Sequence, residues 1–461
     1  MKKLILSLSL ALTLFSCNTD NLPKDALISD TAYKTVADLQ LGLNGAFSTY
    51  SNTSIITFNS IFTDECKIGA DNGGQQVNLY NQELDPSSGT SAGIWSGRYA
   101  AINRYSRIIA AAQNIVPKPT ELVQYNNILG QCYAMRALCH MDLLEHFTVD
   151  PTDLTSEAVP YINFVVGSEQ LPRNTVAEVR DGIIADLELA RPLITNSDIY
   201  FVTSNFIDFV KGKTLFITGD YSAAMTNIQT VIDDKPLADA TQYVAMFSDA
   251  DNTEVIFKRK QTQNETFVGG VWYFTGTGGA FMEMSNYMYN QLDNTDVRYG
   301  VLFDQPNSDP AINLHLINKY PGNGIPFLND QKIMRVSELY LIKAECEARL
   351  GQLGNAALSI KAVRDARYSA GTPVDTYADL AAAATVILKE RNLELGYEGH
   401  RYVDLKRLRF VTNVGIVRDP LDCGGASACT LGINDPKFTL PIPQTERDTN
   451  ANMSQNPGYT Q

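Results

Sequence analysis

Two stretches of the chain repeat one design: a helix, a tight turn and a second helix. NFIDFVKGKTLFITGDYSAAMTNIQTVIDD runs from Asn205 to Asp234, and KIMRVSELYLIKAECEARLGQLGNAALSIKAVRDAR from Lys332 to Arg367. Their turns read Gly219-Asp220-Tyr221-Ser222-Ala223-Ala224 and Gly351-Gln352-Leu353-Gly354-Asn355-Ala356, both of the form Gly-x-apolar-x-x-Ala. The glycine permits the left-handed cap that ends the first helix. The apolar residue plugs the corner, and the alanine lets the second helix approach closely. Such pairs bury their apolar faces only by stacking on neighbours, as tetratricopeptide-type helix pairs do. The spacing departs from the regular repeat of about 34 residues, so the array is degenerate and interrupted.

The remaining helical signals fit the same architecture. WSGRYAAINRYSRIIAAAQNI, from Trp95, places apolar residues at three- and four-residue steps, and Pro117 and Pro119 close it. A long helix is predicted over Glu121 to Phe147. Another spans Thr175 to Ile194, with Thr175 and Glu178 spaced as a capping box. A last long helix is predicted over roughly Ala378 to Leu408. The fold class read from this pattern is mainly α, with a helical core over about 95–240 and 332–408. Irregular segments fall at about 50–94, 243–330 and 409–461. They are rich in Asn, Gln, Gly and aromatic residues, and such loops are where function usually sits.

The N-terminus reads as an export address. Lys2 and Lys3 precede the apolar run Leu4 to Leu14, which has the length of a signal peptide and is too short to span a bilayer. Leu14-Phe15-Ser16-Cys17 then resembles a lipobox, with Cys17 as the acylated residue and 17–461 as the mature domain. Acyl chains of this kind would anchor the chain to a membrane. The alternative is an ordinary secretory signal with Cys17 incidental. In an exported chain Cys423 and Cys429, framing CGGASAC, could close a disulfide or remain free thiols. Cys132 and Cys139 lie seven apart on a predicted helix, where core packing is the simpler role. The formal charge of -14 argues against nucleic acid, whose phosphates need a basic face.

Several possible active sites fail on inspection. FVKGKT contains Gly-Lys-Thr, but Ile207 stands where a phosphate loop needs its first glycine. GTGGAF, Gly276 to Phe281, lacks the order and the βαβ setting of a dinucleotide fingerprint. His140 and His146 are six residues apart on a helix, about 240° of rotation, so they cannot share a metal. No metal or other cofactor is expected. In ILKERNLELGYEGHRYVDLKRL, Ile387 to Leu408, the residues Arg391, Glu394, Glu398 and Arg401 recur at three- and four-residue steps. A glycosidase would need two carboxylates across a cleft. Arginines on the same helical face would instead keep Glu394 and Glu398 ionised and paired, so the expectation is a structural charge network.

That same stretch resembles the signature of the SusD/RagB family of outer-membrane nutrient-binding lipoproteins. The likeness continues through GQCYAMRALCHMDLLEHF, AVPYI, NTVAEVRDGIIADLELARPLI, RVSELYLIKAECEARLGQLGNAALSIKAVRDAR and the closing PIPQTERDTNANMSQNPGY. It covers most of the chain from Trp95 to Tyr459, in the family's order. The resemblance implies tetratricopeptide-like pairs packed against an irregular ligand-binding region. It also implies a lipid-anchored capture protein, without catalysis, on the outer face of the outer membrane. Its partner would be a SusC-like TonB-dependent β-barrel transporter.

The ligand would be an oligosaccharide, or peptides as in the RagB branch. Sugar recognition uses aromatic faces and planar amides. Trp272, Tyr273, Phe274, Tyr287 and Tyr289 are candidates for the first, and Asn72, Gln75, Gln76 and Asn78, with Tyr80, for the second. The glycines before Trp272 lead us to expect it on an exposed loop, whereas Trp95, opening a helix, is expected to be structural. Several of the candidate rings could equally be core.

Overall fold

The structure is a computed structural model describing residues 32–273, 279–423 and 428–460. The lipidation candidate Cys17 and the ligand candidate Phe274 lie outside the described residues. Helices α1 (Val36–Thr49) and α2 (Thr53–Ile61) precede the first helix expected from the sequence, so the chain is ordered into helix earlier than its composition signalled. Then follow α3 (Gly89–Ala112), α4 (Leu122–Phe147), α5 (Val176–Ala190), α6 (Ser204–Ile217), α7 (Tyr221–Asp234) and α8 (Ala240–Phe247). The C-terminal half adds α9 (Val336–Arg349), α10 (Leu353–Asp365), α11 (Leu380–Leu395) and α12 (Arg401–Thr412). No helix among the described residues is long and apolar enough to cross a membrane.

The helices pack as antiparallel hairpins: α3 with α4, α6 with α7, α9 with α10, and α11 with α12, while α5 lies against α4. The two repeated turns behave as their sequences require. Gly219 and Gly351 take φ of 85° and 76°, and Ala224 and Ala356 are fully buried where the second helix closes on the first. The capping box is made: Thr175 Oγ1 accepts from Glu178 N at 3.3 Å, and Glu178 Oε2 accepts from Thr175 N at 2.8 Å. The decoy histidines are internal. His140 Nδ1 is 2.9 Å from Arg136 O, and His146 Nδ1 is 2.7 Å from Asp142 O, each bond closing a turn of its own helix. Cys132 and Cys139 are buried in the core.

Three small antiparallel ladders tie the irregular segments together. Strand β1 (Cys66–Ile68) pairs with β3 (Met282–Met284). Strand β2 (Val255–Arg259) pairs with β4 (Gln331–Arg335), which runs directly into α9. Strands β5 (Ile416–Val417) and β6 (Thr430–Leu431) pair across the loop in which Cys423 and Cys429 are joined as a disulfide, with Cα atoms 5.5 Å apart.

The last helix departs from expectation. It is not continuous from Ala378 to Leu408 but breaks over Gly396–His400, with Tyr397 at φ 62° and Gly399 at φ 92°. A Cβ on Gly399 would sit 3.1 Å from Ile55 Cγ2, so glycine serves both the dihedral and the close approach of α2. A tyrosine in the left-handed region costs about 1–2 kcal/mol, and tertiary bonds hold it there. Tyr397 N donates to Glu65 Oε1 at 3.3 Å and its hydroxyl to Glu65 O at 3.0 Å.

The break corrects the expected arrangement of Arg391, Glu394, Glu398 and Arg401. They do not share one helical face: Arg391 and Glu394 lie on α11, Glu398 in the turn, and Arg401 opens α12. Their partners come from elsewhere in the chain. Glu394 accepts from Arg335 Nη1 at 2.9 Å, from Arg367 Nη2 at 2.9 Å and Nε at 3.0 Å, and from Arg298 Nη1 at 3.5 Å. Glu398 accepts from Arg335 Nε and Nη2 at 2.8 and 2.7 Å and pairs with Lys319 at 2.8 Å. Glu254 closes the cluster against Arg335 and Arg367. Arg391 pairs with Asp404 at 2.7 Å, and Arg401 grips both oxygens of Asp64 at 2.7 Å. Burial alone would push Glu394 towards neutrality, but the Arg367 and Arg335 guanidiniums outweigh it and hold its carboxyl well below the usual range.

Removing Glu394 would take a shared carboxylate from three buried arginines, leaving the cluster with an excess of buried positive charge. We expect Glu394→Ala to lower the free energy of unfolding by about 3–5 kcal/mol, read from urea denaturation. A variant as stable as the parent would show that the cluster is not a structural keystone.

Candidate functional site

The ladders bring parts of all three irregular segments to one place. A cleft of about 630 Å³ opens between them. The first segment contributes Lys67, Ala70, Tyr80 and Asn81, the second Glu283 and Ile312 to Leu314, and the tail Leu421 and Asp422. Strands β1 and β3 place Lys67 opposite Glu283, as their register pairs these two residues. Ile312 and Leu421 are both 72% exposed and stand at the cleft as apolar lips.

Beneath the lips the polar groups are largely engaged. Lys67 Nζ donates to Asn313 O and Oδ1 and faces Glu283 Oε2 at 3.5 Å. Glu283 Oε1 accepts from Ala70 N at 2.9 Å. Asp422 accepts from Asn286 N at 2.8 Å and from Asn286 Nδ2 at 2.5 Å, and burial raises its carboxyl above the ordinary range. Burial likewise lowers the Lys67 ammonium, against the pull of Glu283. Asn81 differs. It is half-buried on the cleft wall, and its side-chain amide makes no hydrogen bond among the described residues.

Arg418 holds this region from behind. Its guanidinium lies 3.9 Å from the centre of the Tyr80 ring. It donates to five main-chain carbonyls: Ile61, Phe62, Thr63, Tyr80 and Ala428. Two of these lie at the end of α2 and its cap, where a helix leaves acceptors without partners. Arg418 therefore joins the tail to both ends of the segment that enters the cleft. Tyr80 in turn donates its hydroxyl to Asp422 O at 2.5 Å.

The sequence-derived candidates scatter around this cleft. Tyr80 alone among them lines it, as a fully buried ring in its floor. Asn72 is buried and its amide holds a turn, donating to Gln75 O and Phe281 O at 2.8 Å and accepting from Gly74 N at 3.0 Å. Gln75, Gln76 and Asn78 are exposed. Gln76 and Asn78 border a separate polar hollow of about 440 Å³, together with Glu83 and Asp85.

The aromatic candidates are more deeply placed than expected. Trp272 is not on an exposed loop. It is fully buried with its ring edge-on to Tyr397 at 5.5 Å, because the short helix Gly269–Trp272 packs inward where Gly269 touches Phe327. Tyr273 is buried, stacked 4.4 Å from Phe327 and bonded to Ile317 O. Tyr287 is half-buried and accepts from Arg401 Nη2 at 3.2 Å; Tyr289 is half-buried and stacked 4.0 Å from His315. Trp95 is buried in a helix, against Tyr99 and Phe147.

Sequence reasoning missed Lys67, Asn81, Glu283, Ile312, Asn313, Leu421 and Asp422. No motif marks them, since they converge only through the ladders. An isolated Ile or Leu amid polar loop residues, as at 312 and 421, was the one available signal. A second hollow, of about 470 Å³, lies between α1 and β2. It is mainly apolar, lined by Phe47, Phe201 and Phe257, and most of its polar groups are paired, although the buried Arg259 Nε has no hydrogen-bond partner among the described residues. Tyr200 donates to Asp330 at 2.6 Å, and Arg259 donates to Ser48 O at 2.7 Å and to Glu265 at 2.5 Å. The cleft between the irregular segments, with a free amide and open lips, is the better candidate.

A scaffold of helical hairpins carrying a loop-built cleft is therefore the class that fold and site define. Residues 318–459 match the model of the SusD family. Residues 20–206 match a second model described as starch-binding associating with outer membrane. Both models are of SusD type, so the chain is similar to the SusD/RagB family over two separate stretches. SusD-like protein P2 of Formosa agariphila is similar over 513 residues, at 24% identity and 98% of each chain. SusD-like protein P38 of the same organism is 22% identical over 84% of this chain and 86% of its own. Among solved structures, a SusD superfamily protein from Bacteroides vulgatus superposes with a TM-score of 0.77 at 24% identity, covering 93% of this chain and all of its own. A putative sugar binding protein from the same species does so with a TM-score of 0.78 at 23% identity, covering 93% of this chain and all of its own. These likenesses carry the fold, tetratricopeptide-like helix pairs included.

Two outcomes follow for buried groups beside the cleft. Trp272→Ala should cost about 3–5 kcal/mol of stability, seen as a lowered melting temperature, because the ring fills core. A variant that melts like the parent would contradict this placement. Burial also pushes the Glu65 carboxyl up to about 8, more than Arg401 pulls it back. A raised folded-state pKa means stability that is complete below the unfolded value of about 4.5 and is lost as pH rises to about 8. Glu65→Gln should remove that slope, so the stability of the variant relative to the parent should rise across this window. Parallel pH profiles of the two proteins would show that Glu65 carries no such proton.

Proposed function

We propose that the protein is a surface nutrient-binding lipoprotein whose cleft captures oligosaccharides and passes them to a SusC-like TonB-dependent β-barrel transporter. The observation that carries this reading is the cleft itself. It is assembled from all three irregular segments, has apolar lips and offers a free amide on its wall. Apolar surface suits the C–H faces of sugar rings, and an amide matches a hydroxyl as both donor and acceptor. The reading draws further support from relatives described as sugar or carbohydrate binding proteins and from the starch-binding, outer-membrane description of the N-terminal family model. Acylation at Cys17 would supply the membrane anchor, facing the cell exterior.

The carboxylates of the signature stretch give bond chemistry no seat. Glu394 and Glu398 are enclosed and held ionised by arginine and lysine, which leaves neither of them a free proton to donate.

The test is calorimetric titration of the full chain, in detergent, with neutral oligosaccharides (malto-, xylo-, manno- and laminarihexaose) and with short peptides, the mixtures being assayed for cleavage. Heat with a glycan, no products, and loss of that heat in Asn81→Trp, which fills the cleft, is the expected result. Heat with peptides alone would move the ligand to the peptide class, and products would overturn the reading.

A further inference from the structure

The cleft is poor in available positive charge. Lys67 is the one cationic side chain among its described lining residues, and Glu283 and Asp422 are both carboxylates. An ammonium has three N–H donors. Those of Lys67 are directed to Asn313 O, to Asn313 Oδ1 at 2.7 Å and towards Glu283 Oε2 at 3.5 Å. A further cation, Arg418, lies behind the Tyr80 ring with its N–H groups on carbonyls, so they are turned away from the cleft. What stays open to a ligand is the Asn81 amide and the apolar lips Ile312 and Leu421, with the buried carboxylates Glu283 and Asp422 beneath them.

We infer that the cleft selects uncharged glycans and excludes anionic ones, those bearing uronate, sulfate or sialate groups. The inference rests on the cleft being the glycan site proposed above. An anionic group entering it would leave water, meet two like charges and find no free cation or charged donor among the described lining residues. A sugar hydroxyl meets the opposite situation, since it carries no charge to repel and can both donate to and accept from Asn81. The formal charge of -14 on the whole chain adds a long-range term of the same sign, which salt would screen.

The experiment compares two ligand panels on one protein. The full chain is titrated with the neutral hexaoses above and with oligogalacturonate, oligomannuronate and sulfated agaro-oligosaccharides of similar length. The parent should bind a neutral glycan at least roughly tenfold more tightly than any acidic one, ~1.4 kcal/mol or more. Ala70 is exposed on the cleft wall, and its contribution there is a main-chain N–H. Ala70→Lys should therefore fold normally and add an ammonium to the cleft that offsets its negative charge, so that acidic oligosaccharides now bind and do so less tightly as salt is raised. Preferential binding of an acidic oligosaccharide by the parent, abolished in Asn81→Trp, would overturn the charge selection while leaving glycan capture in place. Binding of either panel that Asn81→Trp leaves untouched, or no binding of either panel, would overturn the assignment of the cleft and this inference with it.

Discussion

Glu394 is a carboxylate with no exposed surface, held by three arginines from three separate parts of the chain. Arg335 ends strand β4, Arg367 follows α10, and Arg298 belongs to the long irregular segment. Glu398 adds Lys319 from that same segment, and the rings of Tyr243 and Phe247 line the cluster, with Arg367 4.1 Å from one and Lys319 4.1 Å from the other. Burying so many charges is expensive unless every one is paired and bonded. Here the geometry is dense enough to meet that condition, and each pairing also fixes a loop to a helix. The helical hairpins and the irregular segments are thereby fastened to each other through the interior as well as by apolar contact.

The break at Gly396–His400 extends this fastening. Because the chain turns there, Arg391 faces Asp404 and Arg407 faces Glu345 within the helical layer, while Arg401 is redirected towards Asp64 in the first irregular segment. A straight helix would have kept all four signature residues on one side. The left-handed Tyr397 is the local cost of the redirection, and its bonds to Glu65 supply the compensation.

Much of the fold was legible because helices announce themselves by period and cap. The hairpin turns at Gly219 and Gly351 and the Thr175 capping box are local chemistry, and local chemistry is what a sequence displays. The signature was legible as charge but not as geometry. Apolar residues continue through Gly396 at helical spacing, so the pattern concealed a turn that tertiary contacts impose. The cleft was least legible. Its residues lie as far apart as Lys67 and Asp422, and two-residue and three-residue ladders, too short to show alternation, bring them together. Aromatic richness misled in the same region, since Trp272 and Tyr273 fill core beneath the loops rather than face solvent.

Arg418 grips its neighbours only by their carbonyl oxygens and by one ring face. Every residue type carries a carbonyl, so this clamp reads the path of the main chain and is largely indifferent to the side chains along it. Exposed wall residues between its points of attachment, such as Ala70, can consequently be exchanged without touching this clamp. A cleft built this way can be re-lettered for a new ligand while its architecture stays in place.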